Sequence, residues 1–289
     1  MGLHRHKGLG ATVSDDIDLR AAINAISDVI QNRPRPLREF DQIYMKAGDM
    51  VLQSEFVADW ARDRRLAFIG DGDSISVSVA YLKARGIVNY GPSKIKVFDF
   101  DERMVTAINR FADQERLDML EAELYNCVDA LPSEGKYDCF YTNPPWGQSN
   151  GGESVNLFVQ RGMELLQFEG DGMIIIADDP SLDWPREVLA SVQRFASTNG
   201  FYVSRMMPRL HSYHLDDNPG LRSCNLLIQS TPNNQRTARS LPVTDEARLV
   251  NFYGVGLAPT VHYVRERNRV DYGKANDDEY ELEPFFKGE

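Results

Sequence analysis

No apolar run in this sequence approaches the roughly 20 residues of a membrane-spanning helix, and residues 1–12 lack the apolar core of a signal peptide. Cysteine is scarce. Cys127, Cys139 and Cys224 have neither metal-ligand nor redox spacing, which fits buried thiols in a reducing cytoplasm. Positive charge is also in short supply: 32 Lys and Arg against 43 Asp and Glu leave a net charge of −11. A duplex nucleic acid calls for a basic stripe, so this balance disfavours nucleic acid and favours cationic or neutral ligands. The 289 residues, 42% of them hydrophobic, are ample for a core, and the charged content of 26% is that of an ordinary water-exposed domain.

The apolar pattern divides the chain into three parts. Residues 1–62 read as an N-terminal extension: a disordered start over 1–14, a helix over 15–31 stopped by Pro34 and Pro36, and a second helix over 50–62. Residues 63–232 alternate strand and helix. Strands are expected over 66–70, 95–100, 123–127, 137–142 and 172–177, with helices over 74–85, 102–113, 155–168 and 185–197. Two further strands, 201–207 and 223–230, follow one another without a helix and read as an antiparallel hairpin. This order predicts an α/β fold with a doubly wound, mostly parallel, seven-stranded Rossmann-like methyltransferase sheet. Residues 233–289 form an appendage with strand-like stretches over 248–257 and 260–264, and then an acidic mobile tail over 277–283.

Ligands of such sheets lie beyond the carboxyl ends of the strands, and here those ends are acidic. The first strand runs into Gly70-Asp71-Gly72-Asp73, whose glycines permit a tight turn while its carboxylates suit a positive centre better than a phosphate. The second ends in Asp99-Phe100-Asp101, where a ribose diol would be gripped. Asp129 follows the third strand, placed to accept from an adenine amino group. The fourth delivers Asn143-Pro144-Pro145-Trp146, a stiff turn poor in donors that can hold an amine nitrogen with its lone pair forward. The fifth ends in Asp178-Asp179-Pro180. A ribose acid, an adenine acid and a cation-tolerant loop together describe an adenosyl sulfonium. Simpler readings stand beside these: Asp73 or Ser74, Asp101, and the Asp178–Asp179 pair can each cap a helix or shape a turn. His211 and His214 have a spacing compatible with a metal, but no third ligand is evident, and no metal is expected.

These motifs occur in order with Phe40-Asp41-Gln42 upstream and Tyr213-His214-Leu215-Asp216-Asp217-Asn218-Pro219 downstream. Together they resemble the branched-chain polyamine synthases, the bis-aminopropyl spermidine synthase family, over residues 37–265. The Asn-Pro-Pro-Trp turn by itself is shared with amino-group adenine methyltransferases. The resemblance implies decarboxylated S-adenosylmethionine as co-substrate, or S-adenosylmethionine as the alternative, and a polyamine as acceptor. The family's loop is Gly-Asp-Asp-Asp, so this chain lacks one of its carboxylates. Family members also commonly carry a winged-helix domain ahead of the core, for which some 60 residues are too few.

On that basis the catalytic expectation falls on Asp71 or Asp73 as proton acceptor and on Asn143 and the Pro144 carbonyl as the groups that aim the amine. Gln42, Gly70, Gly72, Asp99, Asp101 and Asp129 are expected around the adenosyl group. Pro144, Pro145 and Trp146, with Glu153, Asp178, Asp179, Asp216 and Asp217, are expected along an acidic acceptor channel with no basic group near its loop. Two other readings remain: an N-methyltransferase acting on an amino group, and a non-catalytic module that binds adenosyl or polyamine ligands. A homodimer is left open.

Overall fold

The computed structural model describes residues 17–132, 136–234, 236, 239–252, 261–267 and 279–284; the disordered start expected over 1–14 lies outside them. Seven strands form one sheet: β1 (Arg65–Ile69), β2 (Lys94–Asp99), β3 (Leu120–Leu124), β4 (Cys139–Thr142), β5 (Asp171–Ala177), β6 (Phe201–Ser212) and β7 (Arg222–Ser230). Their spatial order is β3-β2-β1-β4-β5-β7-β6, with β7 antiparallel to both β5 and β6 and the other pairings parallel. The doubly wound sheet and its terminal hairpin are therefore as the sequence predicts.

Successive residues of a strand face opposite sides, and the central strands are apolar on both. Leu66 and Phe68 of β1, with Met173 and Ile175 of β5, enter one core; Ala67, Ile69, Ile174 and Ile176 enter the other. The first core is closed by α1 (Leu19–Asn32), α2 (Ala47–Trp60), α3 (Ile75–Ala84) and part of α4 (Glu102–Glu115). The second is closed by α5 (Glu153–Leu165) and α6 (Asp183–Thr198). Two glycines make room for one ring in the second core. A Cβ on Gly162 of α5 or Gly172 of β5 would come within 2.4 Å of the fully buried Phe140. Among the described residues no helix is long and apolar enough to cross a membrane.

Several boundaries differ from expectation, three of them for visible reasons. β3 lies three residues earlier than predicted, because it is an edge strand held by charge: Glu121 pairs with Lys94 at 2.8 Å and Glu123 with Lys96 at 2.8 Å. β6 runs on past Met207 to Ser212 through a register shift that accommodates Pro208 at the sheet edge. The appendage holds a short helix α7 (Glu246–Leu249) where a strand is expected, and residues 253–257 lie outside the described set. Its acidic stretch is in part a strand: β9 (Tyr280–Pro284) pairs with β8 (Val261–Glu266), setting Glu283 3.5 Å from Arg265 and Glu281 against Arg267. This hairpin docks beside the tip of β2, where Val264 N donates to Phe100 O at 3.2 Å.

The Phe140 seat makes a direct prediction. Gly162→Ala overpacks it, and urea unfolding is expected to show a loss of about 1–3 kcal/mol.

Candidate active site

A cleft of about 620 Å³ opens where the tips of β1, β2 and β4 meet the segment that links α1 to α2. Its floor is made by Gly70, Gly72 and Asp73 from the first loop and Asp99 and Phe100 from the second strand. Asn143, Pro144, Pro145 and Trp146 come from the fourth, Phe158 from α5, and Phe40, Asp41, Gln42 and Ile43 close the far wall. Gly70 adopts a φ of +70, and a Cβ there would press to 3.2 Å from the Phe158 ring. A smaller hollow of about 240 Å³ continues from Gly70, Asp99 and Phe100 toward Tyr125, Asn126 and Cys127.

Asp73 ties the site together. Its Oδ1 accepts from Met45 N at 2.6 Å and its Oδ2 from Asn143 Nδ2 at 2.7 Å. The amide of Asn143 is thereby oriented with its oxygen toward the Trp146 indole, whose Nε1 donates to Oδ1 at 3.3 Å. Burial pushes the Asp73 carboxyl up, while the Arg33 guanidinium opposes that shift. Asp99 holds the tips of two strands in register: Oδ2 accepts from Asp71 N at 3.0 Å and Oδ1 from Asp101 N at 2.9 Å. Burial, aided by the charge of Asp101, pushes its carboxyl up to about 6. Asp41 reaches the cleft from the opposite wall, its Oδ2 accepting from Trp146 N at 3.3 Å. Burial pushes that carboxyl up to about 6 as well.

The structure thus brings together Gln42, Gly70, Gly72, Asp73, Asp99, Asn143, Pro144, Pro145 and Trp146. Other expected residues stand elsewhere. Asp71 turns into the protein and caps the start of α3, accepting from Ile75 N at 2.9 Å, Ser76 N at 3.1 Å and the Ser76 hydroxyl. Asp101 is the N-cap of α4 and is fully buried in a bidentate pair with Arg103, at 2.9 and 2.6 Å, with Gln42 Nε2 at 3.1 Å. Asp129 accepts from His262 Nε2 at 2.6 Å and the Tyr263 hydroxyl at 3.0 Å. Glu153 pairs with Arg248 at 2.6 Å. Asp178 accepts from Arg209 N at 2.9 Å, Asp179 closes a turn on Ser181, and Asp216 and Asp217 are exposed, the latter 3.7 Å from Arg38. None of these eight lines the cleft.

Sequence reasoning also passed over two groups. Arg33, at the end of α1, donates to Asp73 O at 3.0 Å and lies 3.9 Å over the Tyr44 ring, so a basic group does stand near the loop. It sits behind the loop; the cleft lining itself has three acids and neither Lys nor Arg. Behind Trp146 runs a buried polar chain. The Tyr213 and Ser223 hydroxyls are 2.8 Å apart, Ser223 Oγ is 2.8 Å from His211 Nδ1, and His211 Nε2 is 2.8 Å from Gln53 Oε1. Burial pushes His211 down to about 4, so it stays neutral; His214 is exposed.

The strand order and a cleft at the carboxyl ends of β1, β2 and β4 define the Rossmann-like methyltransferase architecture. The chain belongs, more narrowly, to the family of the branched-chain polyamine synthase A C-terminal domain, whose model matches residues 21–276. It is 28% identical over 185 residues to the N(4)-bis(aminopropyl)spermidine synthase of Thermococcus kodakarensis, covering 62% of this chain and 49% of that one. The Methanocaldococcus jannaschii synthase of the same name is 23% identical over 167 residues, 56% of this chain and 44% of the other. The chain spans about half the length of the curated relatives it matches. Its fold is similar to the Thermus thermophilus branched-chain polyamine synthase, solved with N4-aminopropylspermidine and 5'-methylthioadenosine. The TM-score is 0.64 at 20% identity, covering 78% of this chain and 67% of that one.

The raised carboxyl of Asp41 gives a stability test. Its folded value of about 6 lies above the ordinary 3.8, so ionisation disfavours the folded state, not at all below 3.8 and fully above about 6. Asp41→Asn is therefore expected to raise Tm at about pH 8, the gain in stability being on the order of 3 kcal/mol. In thermal melts that gain should shrink as the pH falls through 6 and vanish below 3.8.

Proposed function

We propose that this chain is an aminopropyltransferase that moves an aminopropyl group from decarboxylated S-adenosylmethionine to an amine of a polyamine. The observation that carries the reading is the lining of the cleft: it includes Asp41, Asp73 and Asp99 and neither Lys nor Arg. Burial outweighs the nearby Arg33, Arg38 and Arg103 and pushes all three carboxyls up, a desolvation cost that an ammonium entering the cleft would offset. The ammonium of a decarboxylated donor and the cationic polyamine both meet that demand. A methionine carboxylate does not, since Arg33 is turned away beneath Tyr44.

In this reading Asp99, at the tip of β2, faces the ribose, and the hollow toward Tyr125 and Asn126 takes the adenine. Asn143, fixed by Asp73 and the Trp146 indole, presents its amide oxygen and the following carbonyl to the N–H bonds of the acceptor. This aims the nitrogen lone pair at the carbon next to sulfur. The rings of Phe40, Phe100, Trp146 and Phe158 keep water from the reacting atoms and offer faces to the cationic groups. The Thermus relative, solved with an aminopropylated spermidine and methylthioadenosine, has the pair of products this reaction would leave.

Calorimetric titration with decarboxylated and with intact S-adenosylmethionine tests the reading. At least a tenfold preference for the decarboxylated form is expected, corresponding to about 1.4 kcal/mol. Equal affinity, or a preference for the carboxylated form, would point to methyl transfer.

A further inference from the structure

The loop Gly70-Asp71-Gly72-Asp73 has two carboxylates, and the fold employs both. Asp71 closes the first turn of α3 through Ile75 and Ser76. Each oxygen of Asp73 accepts a short hydrogen bond, from Met45 N and from Asn143 Nδ2. Between them lies Gly72, which lines the cleft. Nothing in the backbone demands a glycine there: its φ is outside the left-handed region, and an added Cβ would meet only the Tyr44 ring at 3.8 Å, an ordinary contact. Of the three positions after Gly70, the one open to the cleft and without a structural duty is the one that has no side chain.

A third carboxylate enters from the other wall. Asp41 ends the turn Arg38–Phe40 with a φ of 59, its N–H donating to Arg38 O at 3.1 Å. That left-handed conformation projects the side chain toward the Asn-Pro-Pro-Trp turn. There Oδ2 accepts from Trp146 N at 3.3 Å, while Oδ1 accepts no hydrogen bond among the described residues. The neighbouring Arg38, half-exposed and 3.7 Å from Asp217, favours the charged form of Asp41 but is outweighed by burial. Asp41 is thus the cleft carboxylate with an oxygen to spare, beside the turn expected to hold the amine.

We propose that Asp41 is the catalytic residue that takes the acceptor's proton in this chain, in place of a carboxylate from the first loop. The proposal rests on the aminopropyl-transfer reading. The acceptor ammonium gives one N–H proton to Asp41. The lone pair so freed forms a bond to the propyl carbon attached to sulfur. The carbon–sulfur bond breaks and its electron pair stays on sulfur, which turns the sulfonium into the neutral thioether 5'-methylthioadenosine. The new N–C bond leaves its positive charge on nitrogen, and Asp41 then releases its proton to solvent. Its carboxyl, held near 6 by burial, both accepts and releases a proton close to neutral pH.

The test uses the full chain with decarboxylated S-adenosylmethionine and spermidine, reading kcat, the KM for spermidine and the Kd for 5'-methylthioadenosine. Asp41→Asn is expected to lower kcat by about 10²–10⁴, with KM changed far less and the nucleoside Kd unchanged. Adding Gly72→Asp to that variant, which puts a carboxylate back into the cleft from the first loop, is expected to recover at least a tenth of the lost rate enhancement. A thermal melt confirms that each variant is folded. Undiminished kcat in Asp41→Asn overturns the proposal. So does a parallel loss of nucleoside binding, which would mark Asp41 as a support for the Trp146 turn. If the unaltered chain transfers nothing while still binding the nucleoside, the aminopropyl reading itself has failed and takes the proposal with it.

Discussion

The site depends on one carboxylate being shared by three segments. Asp73 is covalently part of the loop after β1, and it accepts from the Asn143 side chain after β4 and from the Met45 backbone ahead of α2. A parallel sheet brings the tips of β1 and β4 side by side, but it does not fix how their loops face each other. The Asp73–Asn143 bond supplies that orientation. Charge-assisted bonds of this kind are shorter and stronger than neutral ones; the one from Met45 is buried and the one from Asn143 is part-buried. Through Asn143 the constraint passes to the Trp146 indole, and through Met45 it pins the segment holding Phe40, Asp41 and Gln42. The N-terminal extension is in this sense a wall of the cleft. Arg33 secures the same wall from behind, on the carbonyl of Asp73.

That arrangement concentrates acids in a poorly hydrated place. Asp41 and Asp99 both have carboxyls pushed up to about 6, with burial the leading cause in each. Backbone N–H groups hold the shifts in check: two on Asp99, one on Asp41. Carboxyls raised in this way cost the fold stability, the usual relation between function and stability at a site. The buried chain from Tyr213 through Ser223 and His211 to Gln53 contrasts with it. There every hydrogen-bonding group finds a neutral partner, and the chain rigidifies the wall behind Trp146 without adding charge.

Much of this was legible in the residues. Strands apolar on both faces, separated by amphipathic helices, lead to the doubly wound sheet, and a hairpin with no intervening helix leads to the antiparallel β7. The polar strand tips mark the right end of the sheet, and Asp73, Asp99 and Asn143 meet there. What spacing does not reveal is where a short side chain points. Asp71 and Asp73 are two residues apart, yet one caps α3 and the other faces the cleft, because the turn that starts the helix reverses the chain between them. Asp101 two residues before Arg103 permits the bidentate pair that removes it from the site. The fate of Asp129 is set by His262 and Tyr263, more than 130 positions later in the chain, which no local pattern conveys. Likewise β3 follows its charge ladder to Lys94 and Lys96 and starts three residues earlier than expected.

The central claim is that this acidic cleft serves amine alkylation by an aminopropyl donor. Mass spectrometry of an incubation with spermidine and decarboxylated S-adenosylmethionine tests it most directly. The account predicts spermidine enlarged by one or more aminopropyl groups, with 5'-methylthioadenosine released in equal amount to the groups transferred. Unaltered spermidine in that mixture, together with a methylated amine when intact S-adenosylmethionine is supplied, would contradict it.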